Sequence, residues 1–522
     1  MMKTSLASAL WAATAISALA APACAAPQSA AQQAETAALR ALIAAQQAQI
    51  DALTARLDSL SAKPAAATTV EQAVARTEPP KAPVGARRDS PDAVKTASAV
   101  YTPIWRGGPE FIGQKGTSSE GFRFKLRGRL NYDVAYIENP KNAIPTKDLG
   151  FSTHVRRLRL GADGSLPGNF GYKLEIDFAD QATSYADIML TWHGKRADGS
   201  EGPLELTLGN FESLDGFEQI SSARYISFLE RAAFNEAFNN TRRLGAAATY
   251  ISRDNLFRLS VGAFNDTINA DRSNDDWIAA VRATYSPRWF GGQMHFGANF
   301  QHRAYQTNTL SFNYQARPYD RNTDTRFVST GLVGLKSDTI VGAEFLGIWG
   351  PFHVFGEGQV LRATTLRPAD VLTGGDVTLG TRFNGDPTFF GYVLEAGYFL
   401  TGESRGYRNG LLDRTKVLHP IDKGGAGTWS INARYDYLDL SDRVGAADSI
   451  AAPNFINGGK QVGYLASVIW APIDYIRFTL QYSYGVVTGG PRQLLVNANE
   501  TGLLTDRSFN YSAAAFRAHF EF

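Results

Sequence analysis

Between Gly121 and Tyr136 the chain reads GFRFKLRGRLNYDVAY, and apart from Gly128 every even position from 122 to 136 is apolar. The odd positions carry Arg123, Lys125, Arg127, Arg129, Asn131 and Asp133. Side chains alternate across a strand, so a period of two separates these sets into one greasy face and one cationic face. A one-sided antiparallel strand in a soluble protein carries the same pattern. The number of such segments, and where the chain is sent, decide between the two environments.

The pattern recurs. YKLEIDF (172–178) sets Tyr172, Leu174, Ile176 and Phe178 against Lys173, Glu175 and Asp177, and WSINARYDY (429–437) sets Trp429, Ile431, Ala433, Tyr435 and Tyr437 against Ser430, Asn432, Arg434 and Asp436. GGQMHFGANFQ (291–301) and DYIRFTLQYSY (474–484) repeat it, and about 17 such segments fill residues 118–522. After the N-terminal leader no run of about 18 apolar residues is available for a membrane helix, so a membrane-spanning form requires a closed barrel. Single-chain bacterial barrels have even strand numbers. The expected fold is therefore all-β, a transmembrane antiparallel β-barrel of 16 strands, with 18 as the alternative. The 49 glycines, 21 tyrosines and 31 phenylalanines suit its turns and aromatic girdles.

The leader supplies the destination. MMK precedes an apolar run that ends in Ala23-Cys24-Ala25, the small-residue pattern of a secretory signal peptide over 1–25. Cleavage after Ala25 removes Cys24, the only cysteine, and with it thiol chemistry; acylation at Cys24 is the alternative, against which Pro22 and Ala21 argue. Within 26–62, Ile43, Ile50 and Leu57 fall on one heptad seam and Leu39, Gln46, Leu53 and Leu60 on the other, which predicts a short periplasmic coiled-coil helix. Residues 63–117 have the composition of a flexible linker. The last strand, FRAHFEF, finishes on Phe522, which resembles the signal read by the outer-membrane barrel assembly machinery. These features place the chain in a Gram-negative outer membrane, in contact with its lipids.

A lysine or arginine facing lipid at the midplane costs about 2–4 kcal/mol, so Arg123, Lys125, Arg127 and Arg129 must face the lumen. A row of cations in a narrow aqueous pore recruits anions. A net charge of +2 gives no global basic bias and no reason to expect nucleic acid. The seven histidines are scattered without an HExxH pattern, so no metal and no cofactor are expected. The sequence carries no enzyme motif either, although His295 and a neighbour on another strand could assemble a Ser–His constellation.

The segments VRRLRLGADGSLPGNFGYKLEIDFAD (155–180), LTLGNFESLDGFEQISSARYISFLER (206–231), RFVSTGLVGL (326–335), GYVLEAGYFLTGESRGY (391–407) and GTWSINARYDYLDLSD (427–442) resemble, in order and spacing, the phosphate-selective porin O and porin P family. The resemblance implies a homotrimer of 16-stranded barrels, an internal constriction loop, and arginines and lysines that pass phosphate along the pore. Matching positions are Arg157 and Arg159 on the second strand and Arg224 and Arg231 in a long loop. The segment between Phe211 and Thr241 exceeds an ordinary hairpin connection and should fold inward, bringing Arg224 and Arg231 toward the wall that carries Arg127, Arg129, Arg157 and Arg159; Lys173 is expected to line the pore as well. One departure weakens the anion reading: Glu212 stands where the family has lysine, and Glu175, Asp177 and Glu205 also face inward by parity. Arg434 is expected to be a solvated wall residue paired with Asp436. The function expected is an anion-preferring porin for phosphate or related oxyanions; a general diffusion porin, a barrel anchor and an outer-membrane enzyme are the rivals.

Overall fold

The computed structural model describes residues 100–140, 149–179, 183–196, 199, 201–270, 276–305, 311–366, 386–442, 456–490 and 508–522. The expected signal peptide, coiled coil and most of the linker lie outside the described residues.

Sixteen strands of the described residues form one closed antiparallel barrel. They are β1 (Arg123–Ile137), β2 (Gly150–Leu166), β3 (Phe170–Asp177), β4 (Ser184–Lys195), β5 (Glu201–Glu212), β6 (Arg242–Ile251), β7 (Phe257–Phe264) and β8 (Trp277–Tyr285) in the first half. The second half comprises β9 (Gly292–Ala304), β10 (Val333–Trp349), β11 (Phe352–Thr365), β12 (Thr388–Phe399), β13 (Thr428–Asp442), β14 (Ile456–Ile473), β15 (Ile476–Thr488) and β16 (Ser508–Glu521). Each strand pairs with its neighbour in sequence, and β16 closes the ring on β1 from Ala513↔Ile137 to Glu521↔Arg129. The parity expected for β1 is present: Leu130, Tyr132 and Tyr136 are exposed on the outer face, whereas Arg129, Asn131, Asp133 and Ala135 are buried inside.

Phe522 continues the closing ladder by exchanging two backbone hydrogen bonds with Gly128, at 3.1 and 3.2 Å. Its ring lies where a side chain at Gly128 would be, since a Cβ there would come within 2.1 Å of it. Beyond this point β1 has no partner from β16. Residues 101–113, which composition assigned to the linker, correct that expectation: strands Tyr101–Trp105 and Pro109–Gly113 form a hairpin whose second strand pairs with β1 from Glu110↔Lys125 to Ile112↔Arg123. An otherwise open sheet edge is thereby covered.

Aromatic side chains girdle the outer face. Trp429, Trp470, Phe478 and Phe516 stack in series around β13–β16, with centroids 5.5 to 6.1 Å apart. Phe390, Tyr392 and Tyr437 stack nearer the opposite end of β12 and β13. Such belts mark the two membrane–water interfaces.

Connections after even-numbered strands lie at one end and are short, such as the two-residue turn Gly350-Pro351, where Gly350 takes a φ of 54°. In outer-membrane barrels the short-turn end is periplasmic. The exception is 400–427, between β12 and β13, which sequence reading did not single out and which turns back into the barrel. From the other end, 213–241 and 311–332 also fold inward. The constriction loop 213–241 contains the short helices α1 (Phe217–Ile220) and α2 (Ala233–Ala237). Its Phe217, Phe228, Phe234 and Phe238 are almost completely buried against Leu335, Ile340, Phe355, Leu361, Phe389, Val393 and Leu438, together with Tyr314 and Phe327 from 311–332. Each buried phenylalanine contributes about 1.5–3 kcal/mol. This apolar inner face on β10–β13 is why the loop lies against the second half of the barrel and leaves the first half open.

Candidate functional site

Three cavities follow one another along the open wall. The first, about 730 Å³, lies among Arg156, Arg157, Arg159, Arg321 and the two inward loops from the long-loop end. The second, about 420 Å³, shares Arg157, Arg159, Arg231 and Arg242 with it. The third, about 520 Å³, shares Lys173, Met189 and Thr191 with the second and includes Arg127, His193 and Lys195 near the short-turn end. Four arginines thus mark the waist between the first two. The second cavity is lined by Arg129, Arg157, Arg159, Lys173, Arg231, Arg242, Arg258 and Arg282 against Asp187, Glu205 and Glu212, eight cations to three carboxylates. The lining is therefore richer in cations than the chain as a whole, although Glu175, Asp177 and Glu344 lie behind it and hold Arg159 and Arg282.

Local backbone geometry creates the waist. Between Asn131↔Arg157 and Tyr132↔Val155 the β1–β2 ladder shifts by one residue, so β2 carries a bulge at Arg156. A bulge places two consecutive side chains against one partner residue. Arg156 and Arg157 are both buried inward, while Val155 and Leu158 on either side are exposed outward. The two guanidinium groups then diverge. Arg156 donates from Nε and Nη2 to the two carboxylate oxygens of Glu230 at 2.8 and 3.0 Å, docking the constriction loop. Arg157 has no carboxylate within ion-pair distance among the described residues, and its buried Nη1 has no hydrogen-bond partner there.

The other expected lumen residues divide by partner. Arg159 is held by Glu175 at 2.5 Å and Asp177 at 2.6 Å. Lys173 pairs with Asp187, and Arg127 with Asp163. Arg123 bridges Glu110 at 2.6 Å and Asp163 at 3.1 Å, and Lys125 donates to the carbonyl of Arg106 at 2.5 Å. Arg129 has only a long contact of 3.8 Å with Glu175. Arg231 donates to the carbonyls of Glu218, Gln219 and Ser221 at 2.8–2.9 Å, which tightens the loop around it without neutralising its charge. Glu212 faces the lumen as expected and pairs with Arg242 at 2.9 Å.

Two expectations are corrected. Arg224 reaches the expected wall, 3.5 Å from Glu175, the partner of Arg129 and Arg159, and 3.3 Å from Glu521, but its side chain lines none of these three cavities. Arg434 is neither solvated nor paired with Asp436. It is buried, bonded to Glu218 and to Glu395 at 2.8 Å, while Asp436 accepts the backbone N–H of Ala233 at 3.1 Å. Helix α2 packs on that wall and excludes the water that sequence parity alone would place there. Arg156 and Arg242 were not singled out from the sequence; the RR pair of VRRLRL and the RR pair after Thr241 were the available signals.

His295 does meet neighbours on other elements. Glu344 lies 3.0 Å from its Nε2 and Ser286 Oγ 3.5 Å from its Nδ1. Tyr407 of segment 400–427 is closer, with its hydroxyl 2.8 Å from Nδ1 and 2.6 Å from Ser286 Oγ. His295 and Glu344 are fully buried side chains. The group tethers the inward segment.

Residues 124–489 match the family model for phosphate-selective porin O and P. The chain belongs to that family. An uncharacterized protein of Caulobacter vibrioides is 33% identical to this porin over 429 residues, covering 80% of this chain and 78% of the relative. Porin O of Pseudomonas aeruginosa is 24% identical over 401 residues, covering 70% and 83%. The outer membrane channel DcaP of Acinetobacter baumannii superposes with a TM-score of 0.43 at 13% identity, over 77% of this chain and 98% of that one. Family and barrel together make this porin an outer-membrane channel of a Gram-negative cell.

Proposed function

We infer that the channel prefers small oxyanions, of which phosphate is the expected substrate. The observation that carries this reading is Arg157: a buried guanidinium at the waist, on a bulge, with Nη1 unpartnered. A guanidinium fork suits an oxyanion because it donates two parallel hydrogen bonds, and Arg231 across the waist adds a positive charge whose own hydrogen bonds go to backbone carbonyls. Burial pulls Arg231 below its ordinary pKa, though its charge remains at neutral pH. The paired state of Arg123, Arg127, Arg159 and Lys173 favours a general diffusion porin as second reading, since neutralised cations select weakly. We further expect, from the family, a homotrimer delivered by the barrel assembly machinery, with the N-terminal coiled coil in the periplasm.

The test is reversal potential and phosphate block in planar bilayers. Anion preference in chloride, with phosphate block lost in Arg157→Glu, supports the reading. Equal permeation of both ion signs overturns it in favour of general diffusion.

A further inference from the structure

A fourth cavity lies at the periplasmic floor and shares no lining residue with the other three. It is lined by the constriction loop, the inward segment 400–427 and the inner face of β13–β16. Its internal space is about 70 Å³. One water needs at least about 10–15 Å³ by the same measure and takes about 30 Å³ in the liquid, so the space holds about two waters, the size range of one small tetrahedral oxyanion.

The chemistry of the lining is unusual for so small a space. Arg224, Arg405, Arg414 and Arg477 face it against Asp413, Asp474 and Glu521. Asp413 is already engaged by Arg408 at 2.9 Å. Glu521 serves both Arg224 and Arg414. Among the described residues Arg405 donates to Ser227 Oγ and the Tyr225 carbonyl, each at 2.7 Å, and meets the Glu395 carboxylate only through the Ser227 hydroxyl, which donates to it. Arg477 donates from Nη1 to the Ile226 carbonyl at 3.2 Å, and its buried Nε has no partner among the described residues. Each guanidinium carries five donors, so several remain for whatever fills the space. Buried donors left without acceptors are costly, and water offers single dipoles where a tetrahedral oxyanion offers charge and several acceptors together.

We propose that this chamber is a second oxyanion site, off the conduction path, whose phosphate- or sulfate-sized occupant clamps the constriction loop to segment 400–427 and the barrel wall. Arg224 brings the loop, Arg405 and Arg414 the segment, and Arg477 the wall. The occupant is structural and does not permeate. The proposal is independent of the preference at Arg157, and the experiment separates them.

Purified full-length protein is unfolded thermally at constant ionic strength in chloride, then with increasing inorganic phosphate or sulfate. A midpoint that rises and saturates is expected. The Arg405→Gln/Arg477→Gln variant should lose most of that rise yet keep phosphate block in bilayers, whereas Arg157→Gln should lose block and keep the rise. An equal rise in the double variant, no rise in the parent, or a rise abolished by Arg157→Gln overturns the proposal. Selenate soaked into crystals of the parent avoids any folding defect of the variants: an anomalous peak inside the chamber is expected, and a chamber without one overturns the assignment.

Discussion

Arg303 and Arg157 sit on the inner faces of opposite halves of one barrel. Arg303 donates to both carboxylate oxygens of Asp338 at 2.5 and 2.7 Å and to the Phe238 carbonyl at 2.6 Å, while Tyr305 and Tyr314 donate to the same Asp338 at 2.9 and 2.7 Å. Arg157 has no carboxylate partner among the described residues. Both are buried and both obey the same inward parity, so neither exposure nor strand position separates a structural arginine from a pore arginine. Coverage does. Where the inner wall is apolar, loops pack on it, and its charges must be paired internally because water is excluded. Where the wall is polar it stays open, and on the function proposed above a permeating anion completes the pairing.

The sharpest way to break this contrast is on the covered side. Arg303→Met leaves Asp338 buried and uncompensated, and loss of one partner of such a pair costs about 3–5 kcal/mol; denaturant unfolding in detergent measures it. Arg434→Met should fall in the same range because Glu218 and Glu395 both lose their cation. In either variant, parent-like stability would mean that the second half is not internally paired. On the open side Arg157→Gln should leave stability near the parent value and weaken phosphate block on the order of tenfold or more, as expected for loss of a charged hydrogen bond worth about 1.5–3 kcal/mol. Block unchanged within twofold would remove Arg157 from the conduction path.

A smaller effect is expected from pH. Asp320, in 311–332, is pushed up to about 6 by burial. Its folded pKa lies above the ordinary value of about 4, so the native state binds the proton more tightly. Stability of that loop should fall as pH rises from about 4 to 6 and stay level above. Hydrogen exchange across 311–332, corrected for intrinsic rate, reads this directly, and Asp320→Asn should abolish the dependence. The smallest change in selectivity is expected at the short-turn mouth, where Arg123→Gln removes a cation already held by Glu110 and Asp163. A large shift in selectivity from Arg123→Gln would move the filter from the waist to the entrance.

Parity in β1, β3 and β13, the even strand count and the inward course of 213–241 were all legible, because each follows from a local rule: period two, closure, or connection length. What parity cannot supply is the covering layer. The fate of Arg434 depends on Glu218, 216 residues away in sequence, and no local pattern encodes that contact. The bulge at Arg156 was hidden for a different reason. A switch of inward parity from even to odd positions is silent when both residues at the switch are arginine. The inward turn of 400–427 was missed because its polar, glycine-rich composition is that of any surface loop.

The seam at Gly128 and Phe522 has a consequence for the order of folding. Arg517 donates to both oxygens of Asp133 at 2.7 and 2.6 Å across 384 residues of chain, and closing a loop of that length costs roughly 5 kcal/mol beyond a fixed term. No single ion pair offsets that. The seam therefore forms only when the other fifteen strand pairings have already brought its edges together, and a chain halted before Ser508 remains an open sheet with two unpaired edges, however well its first strands are made.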